Sequence, residues 1–312
     1  MLVTPSASEY QVITITQEIY ERRKNESMGS KYKFWFEQEN IAYLYKQARP
    51  NIGEDWAEKV AAELCNLLGI PHAEYELAET WQGNRGVVSP KFLDAEEGKI
   101  LINGNELLIP IVPNYNTFAT YGASQHTIDV VLKAIGNDSV NLPLGWTTPV
   151  GIQTAVELFV GYLLLDAWIG NGDRHHENWG VISKKMMPDA TETVYLAPTY
   201  DHASSLGREL SDENRRKRLV EAYAHKCYSA FYRSVGDTKP FKTFDVFTYV
   251  ARHHPEAANV WLESLSSISG AKISEIFTRI PSKRISPIAI DFAQKILEHN
   301  KHRLLNFKEE LF

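Results

Sequence analysis

Two acidic residues and one amide are spaced in this chain as in a site that handles magnesium and phosphate. Asp173 and Asn178 lie five residues apart within residues 169–179, and Asp201 follows the apolar run that begins at Leu196. Such a loop places a base where it can accept a hydroxyl proton and an amide oxygen where it faces a metal. A downstream acid then holds the metal against nucleotide phosphates. The spacing predicts phosphoryl transfer, with Asp173 as the base and with Asn178 and Asp201 as magnesium ligands.

Magnesium suits this set of donors. It prefers oxygen ligands, keeps several waters and takes one or two carboxylates together with substrate phosphates. The segment also allows a simpler interpretation as a surface loop, because Gly170, Asn171 and Gly172 are typical of a helix end. The second acid, in a strand-like context, favours the phosphotransferase interpretation.

Three histidines near these residues allow a different metal site. His175, His176 and His202 carry nitrogen donors that zinc accepts, and Asp201 completes a set of four. No close-spaced cysteine or histidine pair on a helix supports zinc, and oxygen ligands explain the acids better. His175 is also a catalytic candidate, because an imidazole changes its charge near neutral pH and can orient Asp173 or neutralise phosphoryl charge. A structural hydrogen bond is the simpler alternative.

A lysine and a glutamate further upstream are candidates for a nucleotide site. Lys46 ends the strand predicted at 41–45, and Glu58 lies in the first turn of the helix predicted at 56–68. In a kinase-like lobe a strand lysine contacts phosphates and a helical glutamate holds that lysine. Glu63, on another side of the helix, is the alternative partner. The simpler interpretation is that the lysine is solvated at its strand end and that the glutamate is favoured in the first helical turn by the helix macrodipole.

A loop that covers the nucleotide is expected just before the strand that starts near Tyr32. Residues 25–33 are suitably placed, and Ser30 is the candidate contact because small residues with free backbone N–H groups can cradle phosphate. The segment holds one glycine and neither a Walker GKS/T nor a GxGxxG pattern, so a plain turn is the alternative.

The composition is that of an ordinary globular protein. With 312 residues, 44% of them hydrophobic, the chain can bury a sizeable core as one large domain or two lobes. Its net charge of -6 argues against nucleic acid as a partner, except through a bound substrate. Cys65 and Cys227 lack the spacing of a metal or redox pair and are expected to be buried thiols in a reducing cytosol.

The sequence shows no targeting or membrane segment. Residues 1–10 lack a basic stretch followed by an apolar one, as a signal peptide would have. The longest apolar run, 158–169, is far shorter than the ~20 residues of a membrane helix. We therefore expect a cytoplasmic protein without membrane contact.

Hydrophobic periodicity divides the chain into two parts. Strands are predicted at 11–19, 32–36, 41–45, 74–78 and 86–88, with the helix 56–68 among them. An irregular connection is predicted at 94–123. Helices are predicted at 125–135, 153–169, 212–232, 242–252, 256–264 and 288–306, and a hairpin between 179 and 197 that turns near 188–189.

These patterns predict an α+β, bilobal, protein-kinase-like fold. A small β-rich N-lobe with one helix, the nucleotide-covering loop and the hinge occupies residues 1–93. A larger, mainly α-helical C-lobe with the catalytic and metal-binding loops occupies residues 94–312. Arg215, Arg216, Lys217 and Arg218 form a compact basic run in the C-lobe, which is a solvated helix face or a grip for an acidic protein or a tRNA phosphate.

The two motifs resemble those of the HipA-like serine/threonine kinases. That family carries an Asn-x-Asp-x-His-x-x-Asn loop, matched here by Asn171-Gly-Asp173-Arg-His175-His-Glu-Asn178. It also carries a Leu-Ala-Pro-x-Tyr/Phe-Asp strand, matched by Leu196-Ala-Pro-Thr-Tyr-Asp201. Residues 57–71 resemble the family's lobe-linking helix. The likeness covers most of the chain in layout, and its specific motifs cover a few dozen residues.

The resemblance implies a role for each matching position. Asp173 would be the catalytic base, Asn178 and Asp201 the Mg²⁺ ligands, and Lys46 the ATP phosphate contact held by Glu58. Residues 89–92, including Lys91 and Phe92, would form the adenine hinge through backbone groups.

The resemblance also implies partners and a modification. Family members are often toxins of toxin–antitoxin modules that phosphorylate translation proteins, which implies a protein substrate and a possible antitoxin. They also autophosphorylate a serine in the nucleotide loop, for which Ser27 and Ser30 are the candidates here.

Three other functions remain open. The catalytic loop is also similar to that of phosphoinositide kinases and, less closely, of aminoglycoside phosphotransferases. A lipid kinase should carry basic residues placed for an anionic headgroup and some membrane-directed surface, and this acidic chain offers little of either. A small-molecule kinase shares the loop chemistry. A nucleotide-binding pseudokinase or interaction module is less favoured, because Asp173, Asn178 and Asp201 are all chemically competent.

Overall fold

The fold is α+β, with a β-rich first part and a mainly helical second part. The computed structural model describes residues 8–25, 32–91, 93, 98–137, 139–185 and 192–312. The strands in these ranges are β1 Val12–Ile15, β2 Lys24–Asn25, β3 Lys33–Gln38, β4 Ile41–Gln47, β5 Glu76–Thr80, β6 Arg85–Pro90, β7 Lys99–Asn103, β8 Val140–Asn141, β9 Gly180–Lys184 and β10 Thr193–Leu196.

Helices dominate the second part. They are α1 Gln17–Glu21, α2 Glu54–Leu68, α3 Gly104–Leu107, α4 Ile128–Ile135, α5 Ala155–Ile169, α6 Asp212–Lys217, α7 Val220–Ala224, α8 Thr243–His253, α9 Pro255–Ser267, α10 Gly270–Thr278 and α11 Pro287–Leu311. No helix in the described ranges is both long enough and apolar enough to cross a membrane.

A six-stranded sheet in the order β1-β5-β6-β4-β3-β2 forms the first part. Its β3–β4 hairpin pairs antiparallel with Phe34 opposite Tyr45, and both rings are fully buried in a small core beneath the sheet. Because side chains alternate along a strand, Lys46 points to the face opposite Tyr45. This places the lysine on the side of the sheet that faces the candidate site.

Helix α2 packs against this sheet and joins the main core. Trp56, Val60 and Leu64 are buried there, and the helix ends at Gly69, whose φ of 75° is left-handed and favours glycine. The helix begins at Glu54, two residues earlier than predicted. Glu58 therefore lies in the second turn and is buried, so the helix macrodipole does not account for it.

Helix α5 is the centre of the second part. It is apolar on all sides and all but two of its residues are buried, as expected of a helix surrounded by other elements. Thr154 and Glu157 form a capping box at its start. It ends at Gly170, with φ 68°, and the chain turns directly into the loop that carries Asp173. The rigid core helix thus positions that loop.

A four-stranded sheet in the order β7-β9-β10-β8 lies beside α5. Strands β9 and β10 are the two arms of the predicted hairpin, and they pair antiparallel with Leu196 opposite Val181. The predicted turn near 188–189 lies outside the described residues. The strand β10 leads into the segment that ends at Asp201.

Several element predictions were wrong in detail. The strand predicted at 11–19 stops at Ile15, because the Thr16 side chain caps the short helix α1. The irregular connection predicted at 94–123 contains β7 and the capped helix α3. The helix predicted at 212–232 is instead the two short helices α6 and α7, since Arg218 is extended. Helix α10 was not predicted.

The two cysteines are partly as predicted. Cys65 is fully buried and Cys227 is half-buried, and both are free. Burial raises the pKa of both thiols, that of Cys227 to about 12. Neither has the character of a reactive thiolate.

A buried ion pair connects the helical part to the first sheet. Arg284, which follows α10, donates to Asp55 Oδ2 at 2.8 Å and to the Ala78 carbonyl oxygen at 2.9 Å. The side chains of Arg284 and Asp55 are 3% and 4% exposed. The guanidinium therefore links α2 and β5 to the start of α11 from within the core.

We predict that Arg284→Met lowers the free energy of unfolding by about 3–5 kcal/mol, because it leaves the Asp55 carboxylate buried without its partner. The double variant Arg284→Met/Asp55→Leu should recover most of that loss, since it removes both charges. Urea denaturation of the parent and both variants measures this. A double variant no more stable than Arg284→Met would contradict the assignment.

Candidate active site

Six of the predicted site residues line one cleft between the two parts, and they are Lys46, Lys91, Asp173, His175, Asn178 and Asp201. Lys46, Asp173, Asn178 and Asp201 surround a cavity of about 500 Å³. Small-molecule and cofactor sites are about 300–1,000 Å³. The cavity therefore has the size for a nucleotide, with the residues for phosphate chemistry on its walls.

Asp173 presents both carboxylate oxygens to hydroxyl groups. The Tyr121 hydroxyl donates to Oδ1 at 2.9 Å, and the Ser204 hydroxyl donates to Oδ2 at 3.1 Å. The backbone N–H of Asp173 donates to Asn171 Oδ1 at 3.2 Å, which fixes the start of the loop. A carboxylate that already accepts O–H donors has the geometry of a base for an incoming hydroxyl.

The amide of Asn178 has a defined orientation. Its Nδ2 donates to the Asp173 carbonyl oxygen at 2.6 Å, and its side chain is buried at the wall of the cleft. This leaves the amide oxygen as the atom available to a cation. The amide oxygen of Asn178 and the carboxylate of Asp201 are the hard donors that magnesium prefers. The residues present thus fit a magnesium ion.

Lys46 and Asp201 form an ion pair across the cleft. Lys46 Nζ lies 3.2 Å from Asp201 Oδ2 and 3.4 Å from the Tyr75 hydroxyl. Tyr75 also accepts the backbone N–H of Asp201 at 3.2 Å, so its hydroxyl connects both residues. Burial opposes the charge on Lys46, but the Asp201 carboxylate and its neighbours raise the pKa of the ammonium above its ordinary value. Lys46 is therefore a fixed cation.

Asp201 has a backbone conformation that few residues adopt. Its φ is 59°, in the left-handed region. Such conformations cost of the order of 1–3 kcal/mol and persist where the surroundings impose them. The Tyr75 hydroxyl and the contacts of the neighbouring His202 hold the turn.

Glu58 does not have the predicted partner. Lys46 and Glu58 form no ion pair in the described structure. Glu58 Oε1 instead accepts the backbone N–H of His202 at 2.6 Å and lies 3.6 Å from its Nδ1. The alternative partner, Glu63, pairs with Lys59 at 2.8 Å. Glu58 thus holds the loop that carries Asp201, and acts on Lys46 only through its charge.

A buried ion pair holds the loop that carries Asp173. Arg174 Nε and Nη2 donate to the two oxygens of Asp166 at 2.5 Å and 2.7 Å. Arg174 Nη1 donates to the Thr199 hydroxyl at 2.8 Å, and that hydroxyl lies 2.7 Å from His202 Nε2. Burial opposes the charge of Arg174, but Asp166 raises the pKa of the guanidinium. Helix α5, the Asp173 loop and the Asp201 loop are thereby joined.

The histidines do not assemble a metal site. No cluster of three or more metal-binding His, Cys, Asp or Glu side chains occurs among the residues described. His202 belongs to the Thr199 and Glu58 contacts, and His176 Nδ1 faces the Tyr115 hydroxyl at 2.7 Å. The zinc alternative is therefore not supported.

His175 lies beside Asp173 without a hydrogen bond to its carboxylate. Its Nδ1 accepts the Glu177 backbone N–H at 3.2 Å, so a neutral ring carries its proton on Nε2. Nε2 lies 3.9 Å from Asp173 Oδ1. The ring lines the cleft and faces the edge of Tyr121. This position is compatible with a contact to a phosphoryl group.

The predicted hinge is only partly described. Ser30 and Phe92 lie outside the described residues, as does Ser27. The side chain of Lys91 lines the cleft, but its backbone N–H donates to the Ala42 carbonyl oxygen at 2.7 Å. That N–H is therefore engaged in the sheet and cannot be a donor to adenine.

Sequence reasoning missed part of the cleft. Leu44 and Leu101 line it from the two sheets, although Leu101 was placed in an irregular segment. Tyr75, Tyr121 and Ser204 were missed as well, because each contacts a site residue that is distant in sequence or on another loop. The short run of branched apolar residues at 100–102 is the signal that could have revealed the strand of Leu101.

Comparisons with solved structures identify the fold. The chain matches the Helicobacter pylori proinflammatory kinase CtkA with a TM-score of 0.69 and 19% identity, over 96% of this chain and 98% of that one. It also matches HipA, from a complex of Shewanella oneidensis HipA, HipB and operator DNA. That match has a TM-score of 0.58 and 13% identity, over 95% of this chain and 68% of that one.

A weaker match is a Golgi casein kinase with Mn/ADP bound, with a TM-score of 0.46 and 13% identity, over 98% of this chain and 74% of that one. No family model and no curated protein sequence matches the chain. At these identities the likeness is one of fold. The chain therefore has the HipA-like kinase fold that its motifs predict.

Two buried histidines, His126 and His176, lie next to the segment that ends at Trp179. His126 Nε2 accepts the Trp179 indole N–H at 3.0 Å, and its Nδ1 faces the Ala230 carbonyl oxygen at 3.0 Å. Burial lowers the pKa of His126 to about 3 and that of His176 to about 4. Burial thus favours the neutral form of both rings in the folded protein.

We predict that the free energy of unfolding falls as the pH drops from about 6.5 towards 4. In this range His126 and His176 bind protons in the unfolded chain but stay neutral in the folded protein. His126→Gln, which keeps an acceptor for Trp179, should reduce this slope. Urea midpoints at several pH values measure it. Equal slopes for parent and variant would show that His126 does not contribute.

Proposed function

We propose that the chain is an ATP-dependent kinase of the HipA-like kind, which transfers the γ-phosphate of ATP to a serine or threonine hydroxyl of a protein. One observation carries the proposal. Lys46, Asp173, Asn178 and Asp201 line a single cavity of about 500 Å³ in a kinase-like fold. Fold alone does not determine function, whereas this set of side chains defines a chemistry.

The two ends of the cleft suit the two ends of a nucleotide. Leu44 and Leu101 offer apolar surfaces from opposite sheets, between which an adenine ring can lie. Lys46, at the other end, supplies the cation for the phosphates. We place the division between the lobes at residue 93, after the last strand of the first sheet. The nucleotide would then bind where the two lobes meet.

Asn178 and Asp201 would hold magnesium, which when bound neutralises the negative charge of the phosphates. Asp173 would accept the proton of the acceptor hydroxyl. The acceptor oxygen forms a bond to the γ-phosphorus, and the bond from that phosphorus to the bridging oxygen breaks, so that ADP leaves. Tyr121 and Ser204, which now donate to the Asp173 carboxylate, mark where an incoming hydroxyl would approach.

The competing functions have less support. A lipid kinase would need cationic surface for an anionic headgroup, and the chain has a net charge of -6. A pseudokinase is disfavoured because the base and both metal-binding positions hold competent groups in one cavity. A small-molecule kinase would use the same cleft, and its acceptor would be a free hydroxyl compound.

We also propose protein partners for this chain, on the basis of its likeness to the HipA-like family. HipA of Shewanella oneidensis was solved together with HipB and operator DNA. We propose that this chain acts on a protein of translation and has an antitoxin-like protein partner. The acidic chain itself offers little for direct nucleic-acid binding.

We predict that Asp173→Asn lowers phosphate transfer by about 10²–10⁴-fold, because it removes the base and keeps the side-chain shape. Binding of ATP with magnesium should persist. The measurement is transfer of labelled γ-phosphate to proteins of a lysate from the source cells. Asp291→Asn, an exposed position on α11, is the matched control.

Unchanged transfer by Asp173→Asn would overturn the role of this residue. ATP binding without transfer by the parent protein would favour a pseudokinase or a small-molecule kinase. Absence of ATP binding by the parent would overturn the proposed function as a whole.

A further inference from the structure

A second cavity lies on the other side of the proposed base. It measures about 610 Å³ and is bounded by the Asp173 loop, the segment around Arg208 and helix α7. Asp173 and Tyr121 line both this cavity and the nucleotide cleft. The two residues are therefore the wall between them. A group in the second cavity can reach the Asp173 carboxylate from the side opposite the nucleotide.

Three cations line this cavity. Arg208 lies at its inner end, and Arg218 and Lys226 are exposed at its outer part. Two acids, Asp173 and Glu209, also line the cavity. Glu209 accepts a hydrogen bond from the Tyr223 hydroxyl at 2.9 Å. The cavity thus has an excess of positive charge on a chain whose net charge is -6. Such local excess attracts an anionic ligand.

Arg208 is positioned close to the chemistry. Its Nη2 donates to the Ser204 hydroxyl at 2.8 Å, and that hydroxyl donates to Asp173 Oδ2 at 3.1 Å. Its Nη1 lies 3.5 Å from Glu54 Oε1, and its buried Nε has no hydrogen-bond partner in the described structure. A carboxylate bound by Arg208 would therefore belong to a residue very near the phosphorylated hydroxyl.

We propose that this cavity binds an acidic peptide segment that carries the acceptor serine or threonine. Carboxylates beside the acceptor would meet Arg208, and those further along would meet Arg218 and Lys226. The proposal rests on the proposed function and adds the class of its substrate. Arg218, at the end of the basic run noted in the sequence, would be the member of that run that contacts the substrate.

The charge and the apolar surface of the cavity favour a peptide over a nucleic acid. Its positive charge is confined to three side chains, and the tyrosine rings of Tyr223 and Tyr228 supply apolar surface beside them. A nucleic acid would need a broad basic stripe along its backbone. The guanidinium of Arg218 lies 5.9 Å from the centre of the Tyr223 ring, so charge and apolar surface are adjacent.

The experiment uses three peptides that differ only in the residues flanking one serine, which are Glu, Gln or Lys. We measure kcat/KM for each with the full chain and Mg-ATP. The parent should prefer the Glu peptide over the Gln peptide by about threefold to tenfold, as expected for partly exposed charge pairs. The preference should shrink as salt is raised, because exposed charges are screened.

The decisive variant is the charge reversal Arg218→Glu/Lys226→Glu, which should shift the preference to the Lys peptide. Because this is a gain of activity on one substrate, loss of folding cannot imitate it. The matched control is Arg216→Glu/Lys239→Glu, which makes the same change of charge at exposed positions that do not line the cavity. The control should keep the preference of the parent.

Each outcome supports or overturns the inference. Equal rates on the Glu and Gln peptides, or no transfer to any of the three, would overturn it. So would a preference that the charge reversal leaves unchanged. If lysate proteins are labelled in those cases, the proposed function stands. If nothing is labelled and Mg-ATP does not bind, both fail. Labelling of nucleic acid or lipid in place of peptide would show that the substrate is not an acidic peptide, and would overturn the inference.

Discussion

The site depends on the buried ion pair between Arg174 and Asp166. Their side chains are 1% and 5% exposed, so both charges have lost their water. Removal of such groups from water costs several kcal/mol per ion, and only close geometry with further hydrogen bonds offsets that cost. Arg174 meets this condition, because it makes two bonds to Asp166 and a third to Thr199. Apolar residues of similar volume often stabilise a protein as well as a buried pair does, so we infer that the role of this pair is to fix the position of the loop.

The contacts of this pair extend to the loops of both Asp173 and Asp201. Asp166 lies on the core helix α5 and also accepts the Asn171 amide at 2.8 Å, which sets the turn before Asp173. On the other side, the chain of contacts runs through Thr199 and His202 to Glu58 on α2. The loop of Asp173, the segment of Asp201 and the helix of the first part are thus held in one arrangement. A shift of α2 would be transmitted to the loop of Asp201 through buried hydrogen bonds.

Much of the fold and of the candidate site could be predicted from the sequence, and what could not be predicted has physical causes. The Asp173 and Asp201 motifs were recognisable because catalysis demands fixed spacing within short segments. The main helices were recognisable from their apolar periodicity. The partner of Glu58 was not, because it depends on how two distant segments pack. Arg174 was a motif residue without an assigned contact, and the acid that holds it lies on the preceding helix. The cation-lined cavity beside Asp173 was equally hidden, since its residues come from four separate segments of the chain.

The most direct test of the account is to locate the metal and the nucleotide. Crystals grown with Mn²⁺ and a non-hydrolysable ATP analogue, with data collected at the manganese absorption edge, would show the metal as an anomalous peak. We expect a peak contacted by the side-chain oxygens of Asn178 and Asp201, with the adenine between Leu44 and Leu101 and the terminal phosphate facing Asp173. A peak on the histidines, or a nucleotide outside this cleft, would contradict it.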